Sequence, residues 1–484
     1  MSTIETFARF AVRTGSDAIP PEVREYARIV LLDTLVCGLA AARLERSRMT
    51  QRLAARFGGP PEATVFGLAQ RVAAVNAAHA NAEMMNALDA DDTFYNAAHF
   101  AAIVAAAALA DAERVHLDGA GLLRAFTLGF EVSARVNLAS AIMQYENGEF
   151  RWSQILGNGG DAFGAAVASA VASGLDEGTL ANALGIVGWT APTPKATNMA
   201  IRREFNSFKY APYGWVAQTG MVAAALAAEG YTGDTDVLDI HPGFFEAQGF
   251  LSSYPDLLAS EPGRRWWIMD TALKPYPSCR YTHPAIEAIS AWRAREALDP
   301  ADIDSIVVRM NPAAYATCFF HSPQPAITPD HRAPLHGAFN IPYVLALALL
   351  GRPRGPGWYD AANLQDPAVW ALARRVRTEP DPQLAVAWRE EVLNSPLRRP
   401  QRTRASITLT VRGVEHLIES DANPGDPWDE ATRADRAWVE NKFHDFCADL
   451  VPRAQREALI AAVWDLEQVD DVARVLAPLL EVPA

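Results

Sequence analysis

Residues 101–113 read AAIVAAAALADAE and residues 119–139 read GAGLLRAFTLGFEVSARVNLA, with a turn around residues 116–119 between them. Both runs are apolar nearly all round, the pattern of helices buried on every side rather than of helices with one wet face. The first run is too short and too Ala-rich to span a bilayer. Its small side chains let helix axes approach closely. The same texture extends in both directions. PPEVREYARIVLLDTLVCGLAAA (20–42) opens on Pro20 and Pro21, a helix entry signal. RVAAVNAAHANAEMMNALDA (71–90), DAFGAAVASAVASGL (161–175) and EGTLANALGIVGW (177–189) read as further helices, and GWVAQTGMVAAALAAEG (214–230) ends on Gly230 as a C-terminal cap. Near residue 269 the texture changes. SIVVRMNP (305–312) and RASITLTVRG (404–413) alternate like strands, THPAIEAISAWRAREA (282–297) and GAFNIPYVLALALLG (337–351) read as helices between them, and after DANPGDPWD (421–429) helix returns. The expected class is mainly α: a large all-helical domain over 1–268, an α+β unit over 269–423, and a helical return over 424–484. No repeat of 20–50 residues is evident.

The chain has 484 residues, 50% of them hydrophobic and 21% charged, too long for one ordinary domain and too apolar for disorder. A net charge of −14 argues against a nucleic-acid partner, because phosphate contacts need a basic surface. The four cysteines, Cys37, Cys279, Cys318 and Cys447, form no CxxC pair, so neither a zinc ribbon nor a disulfide framework is indicated. The N-terminal stretch MSTIETFARFAVRTGSDAIP lacks an apolar signal core, and the chain is expected to be cytoplasmic, with no membrane partner. There are only four lysines, Lys195, Lys209, Lys274 and Lys442; the other 39 of 43 basic residues are Arg. A lysine that persists against such a bias is either a chance survivor or kept for a compact charge that burial can tune, which Arg does not offer.

Three clusters can carry chemistry. DADDTFYNAAH (89–99) places Asp89, Asp92 and Thr93 one turn apart and adds His99: a general base, a proton shuttle or a cation site, or else an acidic helix-capping turn in water. REFNSFKYAPYGW (203–215) sets Lys209 among Phe208, Tyr210 and Tyr213 just before a helix, an anion grip or a snorkelling surface lysine. LKPYPSCRYTHPAIEA (273–288) crowds Lys274, Arg280 and His283 on a stiff loop, a carboxylate or phosphate site or an ordinary linker. Cys279 is more often inert than nucleophilic in such a setting. His79 and His336 read as core histidines. GNGG (157–160) lacks the Lys-Ser/Thr ending of a phosphate loop.

Those three clusters, in that order, resemble the 2-methylcitrate dehydratase / cis-aconitate decarboxylase family, the MmgE/PrpD superfamily that also includes iminodisuccinate epimerase-like members. The likeness covers nearly the whole chain: LLDTLVCGLAA (31–41), DADDT with His99, GFEVSAR (129–135), GYTGDTDVLD (230–239) and KPYPSCRYTH (274–283). The resemblance implies a helical domain closed by a smaller α+β lid, a homodimer, and action on small di- and tricarboxylates without metal or organic cofactor. It places Asp89, His99, Lys209 and Lys274 as catalytic groups and Thr93, Tyr213, Cys279, Arg280 and His283 against the substrate. This sequence departs from the family at three points. The family's Gly-rich-loop histidine is absent from EFRWSQILGNGGDAFGAA (149–166), where Gln154, Asn158 or Asp161 can fill the gap. Cys279 stands where the decarboxylases have histidine, and His99-Phe100 replaces His-Pro.

Reactions of this kind form a carbanion or enolate beside a carboxylate, which needs preorganised cations. Lys209, Lys274 and Arg280 would supply them, with His99 as acid/base, Asp89 orienting it, and His99 or Tyr213 protonating a departing hydroxyl. The expected activity is a lyase, dehydration foremost, with epimerisation or decarboxylation as alternatives. A non-catalytic binding or scaffold relative is the rival from outside enzymology, and binding without turnover would mark it. DADDT also matches the DxDD acid of helical terpene cyclases, but no repeated Gln-Trp motif accompanies it. The whole reading requires that folding gather Asp89, Lys209 and Lys274 around one buried pocket.

Overall fold

The computed structural model describes residues 1–95, 98–146, 149–153, 159–193, 207–208, 211–258, 262–297, 299–318, 327, 329–420 and 423–482. Among the described residues helix predominates over strand, so the class is mainly α. The first part holds α1 (Thr3–Arg13), α2 (Pro21–Ala41), α3 (Glu45–Phe57), α4 (Ala74–Asn86), α5 (Ala101–Arg114), α6 (Gly119–Ala139), α7 (Ala162–Ala172), α8 (Glu177–Thr190) and α9 (Tyr213–Ala228). Local chemistry sets their ends. Pro21 occupies the first turn of α2, where a missing N–H costs nothing. The Asp118 carboxylate accepts from Gly121 N at 2.7 Å to open α6. Gly230, at φ +88°, lets Tyr231 N–H reach back to Leu226 O at 3.0 Å and close α9.

Every residue of α5 from Ala101 to Glu113 is buried, as its all-round apolar sequence requires. α7 packs between α6 and α9. The helices touch through backbone: a Cβ on Gly129 of α6 would lie 2.6 Å from Gly164 O, and one on Gly220 of α9 would lie 2.5 Å from Ala166 N. His79 is a satisfied core histidine, its Nδ1 3.0 Å from Gln218 Oε1.

The first 268 residues are not purely helical. β1 (Thr93–Phe94) pairs antiparallel with β4 (Thr271–Ala272), and β2 (Met143–Glu146) pairs with β3 (Glu149–Trp152). Ladders this short show no alternation in the sequence. The sheet proper contains β5 (Ile303–Met310), β6 (Val376–Pro380), β7 (Ala405–Val411) and β8 (Val414–Ser420), in the order β6-β5-β7-β8. β5 and β6 run parallel and the other pairs antiparallel. Arg412 and Gly413, at φ +49° and +77°, make the two-residue turn between β7 and β8. α10 (His283–Glu296) packs on β7 and β8, α11 (Ile341–Leu349) lies in the β5–β6 crossover and packs on α10, and α12 (Pro382–Asn394) follows β6. The chain then returns to helix in α13 (Arg436–Cys447) and α14 (Arg453–Trp464), and α13 packs on α2.

Candidate active site

The register of β1 on β4 pairs Thr93 with Ala272 and Phe94 with Thr271. It therefore delivers Lys274, two residues past β4, beside the turn that precedes β1. In that turn Asp89 leaves α4 at φ +54°, a left-handed conformation that Asp tolerates better than most side chains. Lys274 Nζ donates to Asp89 Oδ1 at 2.5 Å and to Asp89 O at 3.1 Å, and lies 3.8 Å from Asp91 Oδ1. All three side chains are buried. Burial alone would discharge the ammonium, but Asp89 and Asp91 outweigh it and hold Lys274 above the ordinary lysine range. Asp91 is oriented by Asn86, whose Nδ2 donates to Asp91 Oδ2 at 2.7 Å.

Asp92 and His99 are fixed by the start of α5. The Asp92 carboxylate accepts from Ala101 N at 3.1 Å and Phe100 N at 3.4 Å, capping a helix whose own cap position, Phe100, has no side chain for the task. His99 Nδ1 lies 2.5 Å from Asp92 O. A carbonyl oxygen only accepts, so Nδ1 carries a hydrogen, and in the neutral ring Nε2 is the lone-pair nitrogen. Thr93 Oγ1 is 3.4 Å from the same Nδ1. Burial, then the Asp91 charge, push the Asp92 carboxyl well above the usual carboxylate range against the pull of Lys274.

Tyr213, the first residue of α9, is fully buried. Its hydroxyl is pushed well up by burial and then by the negative charges of Asp91, Asp92, Asp161 and Asp89. The charges of four aspartates from two distant stretches thus bear on one phenol. Asp161, at the start of α7, is itself pushed well up by burial and by Asp92.

Behind the turn lies a second buried ammonium. Lys442 of α13 donates to Asp33 Oδ1 of α2 at 2.6 Å and to Ala90 O at 2.7 Å. Lys274 and Lys442 thus hold consecutive carbonyls of the acidic turn from two well-separated segments of the chain. Sequence reading had counted Lys442 among the four lysines without assigning it to the site. Asp33 is 409 residues away, and nothing local links the two.

The junction loop is largely self-satisfied. The Arg280 guanidinium is paired with Asp426 and also donates to Leu273 O at 3.3 Å and Pro424 O at 3.4 Å. Its charge braces the loop. His283 donates from Nε2 to Ser278 O at 3.0 Å and is held neutral by burial and by the Arg280 and Lys274 charges. Cys279 is buried, with its N–H donating to Ala338 O at 2.9 Å. The structure thus brings together Asp89, Thr93, His99, Tyr213 and Lys274, and adds Asp91, Asp92, Asp161 and Lys442. Lys209, Gln154 and Asn158 lie outside the described residues. Among the described residues no set of three His, Cys, Asp or Glu side chains is grouped to hold a metal ion, and no helix is long and apolar enough to cross a membrane.

Two family models match the chain: the MmgE/PrpD N-terminal domain over residues 5–252 and the MmgE/PrpD C-terminal domain over residues 276–466. Among curated proteins, the cis-aconitate decarboxylase of Aspergillus terreus is 26% identical over 399 residues, 76% of this chain and 76% of that one. The cis-aconitate decarboxylases of Mus musculus and Homo sapiens are each 26% identical across 100% of this chain, covering 94% and 95% of theirs.

Proposed function

This chain belongs to the MmgE/PrpD family, and on that premise we propose that it is a cofactor-independent lyase that acts on a small di- or tricarboxylate by moving a proton at the carbon next to a carboxylate. The observation that carries this reading is the buried meeting of Lys274 with the acidic turn that also fixes His99. Proton removal beside a carboxylate puts negative charge on the substrate, and it is opposed strongly unless fixed dipoles and cations already await that charge. His99, with Nε2 as its lone-pair nitrogen, is the base. Lys274 and Lys209 supply positive potential, and Thr93 and Tyr213 hold substrate oxygens. Asp89 keeps Lys274 charged and in place.

Dehydration of a hydroxy-tricarboxylate of the 2-methylcitrate type is the preferred form of the reading, because burial raises the Asp92 and Asp161 carboxyls and the Tyr213 hydroxyl, which favours groups able to protonate a departing hydroxyl. Decarboxylation is a second form, favoured by the names of the similar curated proteins. In both, residues 269–423 act as a lid that shuts out water. The test is proton NMR of the protein in deuterium oxide with citrate, 2-methylcitrate and cis-aconitate. Deuterium entering the carbon beside a carboxylate, or net conversion, is the expected result. Absence of both for all three acids would overturn the proposal.

A further inference from the structure

The carbonyl of Ala90 sits in the middle of the acidic turn without a main-chain partner: Ala90 is buried, and among the described residues no backbone N–H donates to its oxygen. A buried carbonyl left without a donor is costly. Its donor is the Lys442 ammonium, at 2.7 Å. The other two ammonium hydrogens go to Asp33 Oδ1 at 2.6 Å and Cys37 Sγ at 3.5 Å, so all three are used. Both charged side chains, Lys442 on α13 and Asp33 on α2, are fully buried. Burial would discharge the ammonium, and the Asp33 charge outweighs it. A planar guanidinium, with five donors in a fixed fork, does not match three acceptors gathered around one nitrogen. That is a reason for lysine at 442 in a chain whose basic residues are nearly all Arg.

A peptide unit is rigid, so an anchored carbonyl also fixes the N–H and Cα of the residue that follows. That residue is Asp91, whose Oδ2 accepts from Asn86 Nδ2 at 2.7 Å and whose Oδ1 lies 3.8 Å from Lys274 Nζ. Asp92 comes next, and its carbonyl oxygen is the one 2.5 Å from His99 Nδ1. One peptide earlier, the Asp89 carbonyl is held by Lys274 at 3.1 Å. We propose that Lys442 is a positioning residue for the reaction: through the Ala90 carbonyl it fixes the 90–91 peptide, and with it the placing of Asp91 beside Lys274 and of the Asp92 carbonyl beside His99. It acts through the turn and not on the substrate. The inference rests on the lyase reading above.

The test separates anchoring from stability. Lys442→Met breaks both the ion pair and the grip on the carbonyl. Adding Asp33→Asn removes the stranded carboxylate, and most of the instability with it, yet leaves Ala90 O without its donor. The full-length wild type and both variants are assayed well below the lowest of their thermal midpoints, on whichever of citrate, 2-methylcitrate and cis-aconitate the wild type converts. Amide hydrogen exchange is followed by mass spectrometry on the same samples. In the double variant kcat should stay about 10-fold or more below the wild type with KM within about threefold. Peptides covering residues 88–95 should exchange about threefold faster or more, while those of α2 and α13 exchange as in the wild type. A double variant with the wild-type kcat, with wild-type protection over 88–95, or with protection lost equally over α2, α13 and the turn would overturn the assignment. If the wild type converts none of the acids, the lyase reading falls, and exchange over 88–95 decides the anchor alone: faster exchange confined to the turn supports it, and wild-type exchange overturns it.

Discussion

Glu113 shows at a single residue how burial writes pH dependence into this protein. Its Oε2 accepts from Thr64 N at 2.9 Å and Thr64 Oγ1 at 2.8 Å, with Arg71 at 3.1 Å, yet burial raises its carboxyl to about 7. A carboxyl raised in the folded state binds a proton that the unfolded chain has already released. Its contribution to stability is therefore greatest at low pH and declines as pH rises from the ordinary value of 4.5 to about 7. Denaturant titrations of the wild type and Glu113→Gln across that window should differ in slope, by on the order of 2–3 kcal/mol in total. Parallel curves would show that Glu113 titrates normally. At this scale the sequence was informative where composition marked a residue. The scarcity of lysine drew attention to Lys274, and the structure sets it on Asp89. It was silent where partners are remote, as for Lys442 and Asp33.

At the scale of elements, α2 and α13 are joined by one buried ion pair that also reaches the acidic turn. Removing Lys442 alone strips the buried Asp33 of its counter-charge and its donor, so Lys442→Met should destabilise by roughly 3–5 kcal/mol. Asp33→Asn with Lys442→Met removes both charges and should restore most of that loss in the same unfolding titration. If the single and double variants are equally unstable, the pair is not what joins the helices. The long helices were legible because α5, α6 and α7 are apolar on all sides, and β5 and β7 because they alternate. β1 and β4 were not, being two residues each, though their pairing is what carries Lys274 to the turn. β8 is an edge strand with Leu417 exposed outward, and its sequence, VEHLIES, lacks the apolar–polar alternation of ASITLTV in β7.

At the scale of the whole molecule, α9 leaves Trp215, Val222 and Leu226 exposed at 50%, 45% and 38%. Their spacing puts them on one face of the helix, and the homodimer that the family resemblance implies would cover that face. Light scattering should give twice the chain mass for the wild type, and Val222→Glu with Leu226→Glu should give the monomer mass. A wild-type monomer, or an unchanged dimer in the variant, would remove α9 from the interface.

The central claim is that the acidic turn, Lys274 and His99 form one site of proton transfer. The most direct test is the turnover of His99→Asn on whichever acid the wild type converts, with folding verified by the thermal midpoint. The account predicts that kcat/KM falls by about 100-fold or more with the fold intact. A folded His99→Asn enzyme working near the wild-type rate would contradict it.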